Sequence, residues 1–167
     1  MITKDVKNYF QPDARWISVF KINNIEEYQA QFGIKVNFNS NVPKDLQKGG
    51  DVIKALMVYA YYNYDILDEV VRKLFGLFEL SIKLKTIELG GELEKVNSNG
   101  KKRAIVLDTL IKRFKDEKDL ESLVSALDDL RKSRNYYSNP KPHDMEGPIV
   151  LGYVEKVVKV INDMFKK

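Results

Sequence analysis

The residues best suited to chemistry lie close together in this chain: Arg131, Arg134, Asn135, Tyr136, Tyr137, Ser138 and Asn139, with Pro140 next. Each arginine offers a planar fork of donors that suits a carboxylate or a phosphate. The asparagines hold hydrogen bonds but do not titrate near neutral pH. Tyrosine rings can stack on bases. Spacing adds a constraint. Leu120 and Leu127 are seven apart, and Arg134 is the next position in that series. A step of seven is nearly two helical turns, so Arg134 continues an apolar stripe. Arg131 follows Leu127 by four and leans to the same side. An arginine facing inward must be paired or must meet an anion. The internal partner on offer is Glu79, set in the apolar stretch 74–80, with Lys83 four residues on as its local alternative. Tyr137 falls on the line through Leu123 and Leu130, where core packing competes with base stacking.

Helices must position these groups. Leu67, Val71, Leu74, Phe78 and Ile82 recur every three or four residues, which predicts a long helix from about Tyr64 to Leu89. Leu77, Leu80, Leu84 and Ile87 widen its apolar face, so it is expected to be central and buried on several sides. Gly90 and Gly91 end it. Residues 92–100 read as a polar connection. A helix from about Lys101 to Lys115 follows, with Ala104, Leu107, Leu110, Ile111 and Phe114 on one stripe. Asp119 is expected to cap the next helix, which carries Leu120, Leu123, Val124, Leu127 and Leu130 and is closed by Pro140 and Pro142. Pro148 suits the first turn of a last helix bearing Ile149, Tyr153, Val157, Val160, Ile161 and Met164.

Residues 1–50 lack this period. The segments 16–22 and 34–38 are rich in β-branched and aromatic residues and predict two short strands, with one or two helical turns from Ile25 to Phe32 between them. Gly49 and Gly50 read as a break, and Asp51 as the N-cap of a helix running into the tyrosines at 59–62. The expected organisation is all-α: residues 1–50 as an N-terminal extension, residues 51–167 as a four- to five-helix antiparallel bundle.

The run from Arg134 to position 139 resembles the R-x4-H motif of the HEPN domain superfamily (higher eukaryotes and prokaryotes nucleotide-binding), and Asn135 matches the family's second motif position. The segment 75–84 is similar to its central helix, and the resemblance spans about residues 51–166. It implies a HEPN-like bundle and a metal-independent RNA endonuclease of toxin or anti-phage defence type. It also implies a homodimer with facing motifs, and an antitoxin or other regulatory protein as a further partner. In that chemistry the ribose 2′-hydroxyl attacks the adjacent phosphate, arginine stabilises the phosphoryl oxygens and histidine transfers protons. Arg134, Asn139 and Asn135 then stand at catalytic positions. Arg131, Tyr136, Tyr137 and Ser138 stand at substrate-binding positions, and Glu79 supports Arg134. This chain departs from the motif at position 139, which is asparagine. Losing a general acid–base costs ~10²–10⁴ in rate, so the protein as written is expected to be nearly inactive while keeping an RNA groove. An engineered knockout and a naturally degenerate member both fit such a replacement. His143, nine residues after Arg134 and beyond two prolines, reads as a loop histidine. A version with a modifiable tyrosine, R-x4-H-x-Y, is disfavoured by Lys141.

Composition sets outer limits. The chain has 167 residues, 44% hydrophobic and 31% charged, enough for one core. It has no cysteine and one histidine, which leaves no thiolate or multi-histidine metal site, and no cofactor is expected. The absence of cysteine fits a cytoplasmic location. No uncharged apolar run reaches the ~18 residues needed to span a bilayer. The net charge of +4 allows an anionic partner. Lys101, Lys102, Arg103, Lys112 and Arg113 offer phosphate contacts, against the default of a solvated face. A non-catalytic helical module that binds RNA or protein is the competing function.

Overall fold

The computed structural model describes residues 9–32, 36–137 and 147–166. They hold seven α-helices: α1 (Ala14–Ser18), α2 (Ile25–Phe32), α3 (Lys44–Ala60), α4 (Ile66–Glu88), α5 (Leu107–Arg113), α6 (Val124–Tyr137) and α7 (Gly147–Met164). A two-stranded antiparallel sheet of β1 (Glu94–Val96) and β2 (Lys102–Ala104) lies between α4 and α5. Short 3-10 turns follow α5 at Phe114–Asp116 and precede α6 at Glu121–Leu123. The chain is therefore mainly helical. No helix among the described residues is long and apolar enough to cross a membrane.

Helix α4 is central, packing against α3, α5, α6 and α7. Its predicted stripe of Leu67, Val71, Leu74, Phe78 and Ile82 is buried throughout, as is Leu77. The helix is buried on several sides as expected, but Leu80 and Ile87, expected to widen the apolar face, are exposed. Gly90, at φ +76°, takes the left-handed conformation that ends the helix, and the Gly91 amide donates back to the Thr86 carbonyl at 2.8 Å.

Helix α3 overturns the expected break at Gly49 and Gly50. Both glycines lie inside it, and the helix starts at Lys44, behind Pro43, without Asp51 as its cap. Close packing is the reason. A Cβ on Gly49 would stand 2.3 Å from Leu77 Cδ2, and one on Gly50 would stand 2.6 Å from the Phe38 ring. The glycines let α4 and the 36–38 segment close onto α3, and position 50 falls within a continuous helix.

The strand expected at 16–22 is not there. Ala14–Ser18 is helical, and Lys21 at φ +60° turns the chain afterwards. Tertiary burial overrides strand propensity here. Trp16 is fully buried against Phe20, Tyr28, Phe32 and Tyr64, with its indole N–H donating to the Ala60 carbonyl at 2.9 Å. The Tyr28 hydroxyl donates to the Met57 carbonyl at 2.7 Å. Asp13 caps α1 and accepts from the Arg15 side chain and from the Tyr64 amide. Burial opposes ionisation of Asp13, but these hydrogen bonds and the Arg15 charge outweigh it and hold its carboxyl down at about 2. Residues 36–38 carry no strand either; Ile34 and Lys35 lie outside the described residues. The Asn162 side chain of α7 brackets this segment, accepting from the Asn39 amide at 2.8 Å and donating to the Asn37 carbonyl at 2.9 Å. Helix α2 at Ile25–Phe32 is as predicted.

The real strands fall where a polar connection and the start of a helix were expected, at 94–104. The helix there begins only at Leu107. Leu110, Ile111 and Phe114 are buried as predicted, while Ala104 belongs to β2. The next helix begins at Val124, after a 3-10 turn that follows Leu120, and not at a cap by Asp119.

Candidate functional site

Arg134 lies on the last turn of α6, above buried Leu127 and Leu130, as its place on the apolar stripe predicts. Its Nη2 donates to Glu79 Oε2 at 2.7 Å, and its Nη1 donates to Asn135 Oδ1 at 3.1 Å. Glu79 Oε1 accepts from Lys83 at 2.7 Å. The two partners that the sequence offered Glu79 are thus both used, one on each oxygen. The hydrogen bond from Lys83 comes first, then the charges of Lys83 and Arg134 and the Arg134 hydrogen bond; against the opposing cost of burial they hold the Glu79 carboxyl below the usual range. The Arg134 side chain is 35% exposed and that of Glu79 27%, so the pair sits at the edge of the core.

Arg131 turns to α5 instead. Its guanidinium binds Asp128 at 2.8 Å and approaches Asp108 at 3.7 Å. Asp108 also pairs with Lys112. It was missed by sequence reasoning, and nothing local marked it, since its role comes from the approach of α5 to α6.

The tyrosines divide as their spacing suggests. Tyr137 lies against Phe75 and Tyr153, with ring centroids 6.0 and 5.4 Å away. Tyr136 is 60% exposed and meets Tyr137 edge-on. Tyr153 was legible as a core position of the last helix but not as the support for Tyr137. Ser138, Asn139 and His143, with Pro140 and Pro142, lie outside the described residues.

The described part of the site brings together Arg134, Asn135, Tyr136 and Glu79, with Arg131 one turn away. This arrangement can hold an anion and present an aromatic face. It contains no histidine, the side chain best suited to proton transfer near neutral pH. No cluster of acidic or histidine side chains placed to hold a metal ion occurs among the described residues. A shallow cleft of about 300 Å³ lies elsewhere, where Lys85 and Leu89 of the α4 end face residues 116–120.

The chain matches no protein-family model, no characterised protein and no solved structure.

Proposed function

We propose that the chain is a HEPN-type RNA endonuclease scaffold of toxin or anti-phage defence class. On this reading it acts as a homodimer without a metal, and it is inactive as written because Asn139 occupies the place of the motif histidine. The supporting observation is the tethering of Arg134 to the central helix through Glu79. A guanidinium meant to meet a developing phosphoryl charge works best when preorganised, because no reorganisation is then needed as the charge forms. Glu79 and Asn135 position it, and Tyr136 supplies a face for a neighbouring base. A histidine at 139 would complete the set as the proton-transferring group.

The same ion pair favours a second reading, in which Arg134 is only a structural partner of Glu79 and the module binds RNA or protein without catalysis. Asn139→His separates the two. The histidine form and the protein as written are incubated with RNA in the presence of a chelator. Cleavage by the histidine form alone supports the nuclease reading. Absence of cleavage by either, with both folded and dimeric, sinks it in favour of a binding module.

A further inference from the structure

Away from Arg134, the most unusual surface is one face of the β1–β2 hairpin. The register sets Lys95 directly opposite Arg103. Such cross-strand neighbours lie about 4.5–5.5 Å apart at Cβ, and like charges there are destabilising. The register puts Glu94, Val96, Lys102 and Ala104 on the other side, and Lys101, the residue just before β2, continues the alternation toward the side of Arg103. The hairpin's strand acid is used on that other side, where Glu94 faces Lys102 at 4.0 Å. Lys95, Lys101 and Arg103 are exposed and form no ion pair with any described residue. The other cations of the run are engaged. Lys112 binds Asp108 at 2.7 Å, and Arg113 donates to the Glu92 carbonyl at 3.0 Å, fixing the base of the hairpin. The tip is held too, because Asn97 Oδ1 accepts from the amides of Asn99 and Lys101.

A hairpin this short is marginal by itself, and segregating like charge on one face weakens it further. An anionic partner laid along that face removes the repulsion. The aliphatic residues on this side, Leu93 and Ile105 at the base of the hairpin, are packed into the core, so the exposed part of the face has no aliphatic or aromatic anchor of the kind that protein interfaces rely on. Phosphate contacts need none, only cations and amide donors. Alternate strand positions lie about 6.6 Å apart, close to the interval between successive phosphates of an extended strand.

We propose that the face formed by Lys95, Lys101 and Arg103 is a contact for the phosphate backbone of single-stranded nucleic acid, separate from Arg134. It rests on the reading above in taking nucleic acid as partner, but does not require cleavage. From Glu79, which holds Arg134, to the end of α4 at Glu88, ahead of the hairpin in the chain, is ~14 Å of helix. Without an aromatic on the face, the contact is indifferent to base sequence.

The test is fluorescence anisotropy of a labelled 20-nucleotide oligo(U) between 50 and 200 mM salt. The protein as written is compared with the triple variant Lys95→Gln, Lys101→Gln, Arg103→Gln and with Lys102→Gln from the opposite face. Each lost phosphate contact flattens the log–log salt slope by about 0.7. The triple variant is expected to bind more weakly with a slope flatter by about 2, and Lys102→Gln to keep the original slope. If the triple variant does not fold, Arg103→Gln alone is read for a change of about 0.7. Unchanged affinity and slope overturn the proposal. Equal binding of poly-L-glutamate, lost equally in the triple variant, also overturns it and makes the partner an acidic peptide. Failure of Asn139→His to cleave, beside a flattened triple-variant slope, removes the nuclease reading and keeps the hairpin contact. Cleavage beside an unchanged slope does the reverse.

Discussion

Arg134 of α6 and Glu79 of α4 are 55 residues apart in sequence and joined at 2.7 Å. The carboxylate that receives Arg134 on one oxygen receives Lys83 on the other. The last turn of α6 is therefore pinned to the middle of the central helix, and the orientation of the guanidinium depends on a residue outside its own helix.

Arg134→Ala is expected to cost about 1 kcal/mol, at the upper end of the values typical of exposed pairs and below those of buried ones. Solvent reaches both partners, and Lys83 stays on Glu79 to compensate its charge. The urea midpoint should fall with an unchanged m value. In the Asn139→His background the same change should abolish cleavage. Arg134→Lys should recover part of the stability but not the activity, because an ammonium cannot present a planar fork. A loss above 3 kcal/mol would show that the pair belongs to the core and would favour the structural reading.

Acid should destabilise the N-terminal segment through Asp13. Its folded pKa, about 2, lies below the ordinary value of 3.8. The stability it contributes is thus fully present above that ordinary value and is lost as pH falls from about 4 through about 2. The shift corresponds to roughly 2 kcal/mol. Asp13→Asn should flatten the stability profile over this window; a mutant profile parallel to the original there would refute the assignment.

Two glycines in adjacent helices should respond in opposite directions to alanine. A Cβ on Gly76 meets nothing within 4 Å, so Gly76→Ala should stabilise by up to ~1 kcal/mol through helix propensity. Gly50→Ala gains the same propensity but drives a methyl into the Phe38 ring, and overpacking costs ~1–3 kcal/mol. Its melting temperature should fall while that of Gly76→Ala rises.

The helical parts of the fold were legible where apolar residues recur with the helical period, as at Leu67, Leu74, Phe78 and Ile82. The placement of Arg134 beside Glu79 followed from the same period, since the heptad step from Leu127 carries direction as well as spacing. The failures share a cause. Trp16 is strand-prone by type, but a pocket of rings from distant residues set its conformation. Gly49 and Gly50 look like breakers unless Leu77 and Phe38 are known to press on them. The hairpin was hidden because its strands are mostly charged, although Asn99 and Gly100 between them are a turn signal.

Because α3 runs unbroken through those glycines, its two ends answer to different neighbours. Its last turn receives Trp16 and Tyr28 through the Ala60 and Met57 carbonyls, while Gly49, further back, seats Leu77 of the central helix. One ladder of amides thus serves both the aromatic cluster and the bundle. Neither can melt without fraying a helix that the other depends on, so the two should be lost in a single cooperative transition. A chain divided at residue 50 would yield two fragments, each holding part of a helix that neither can complete.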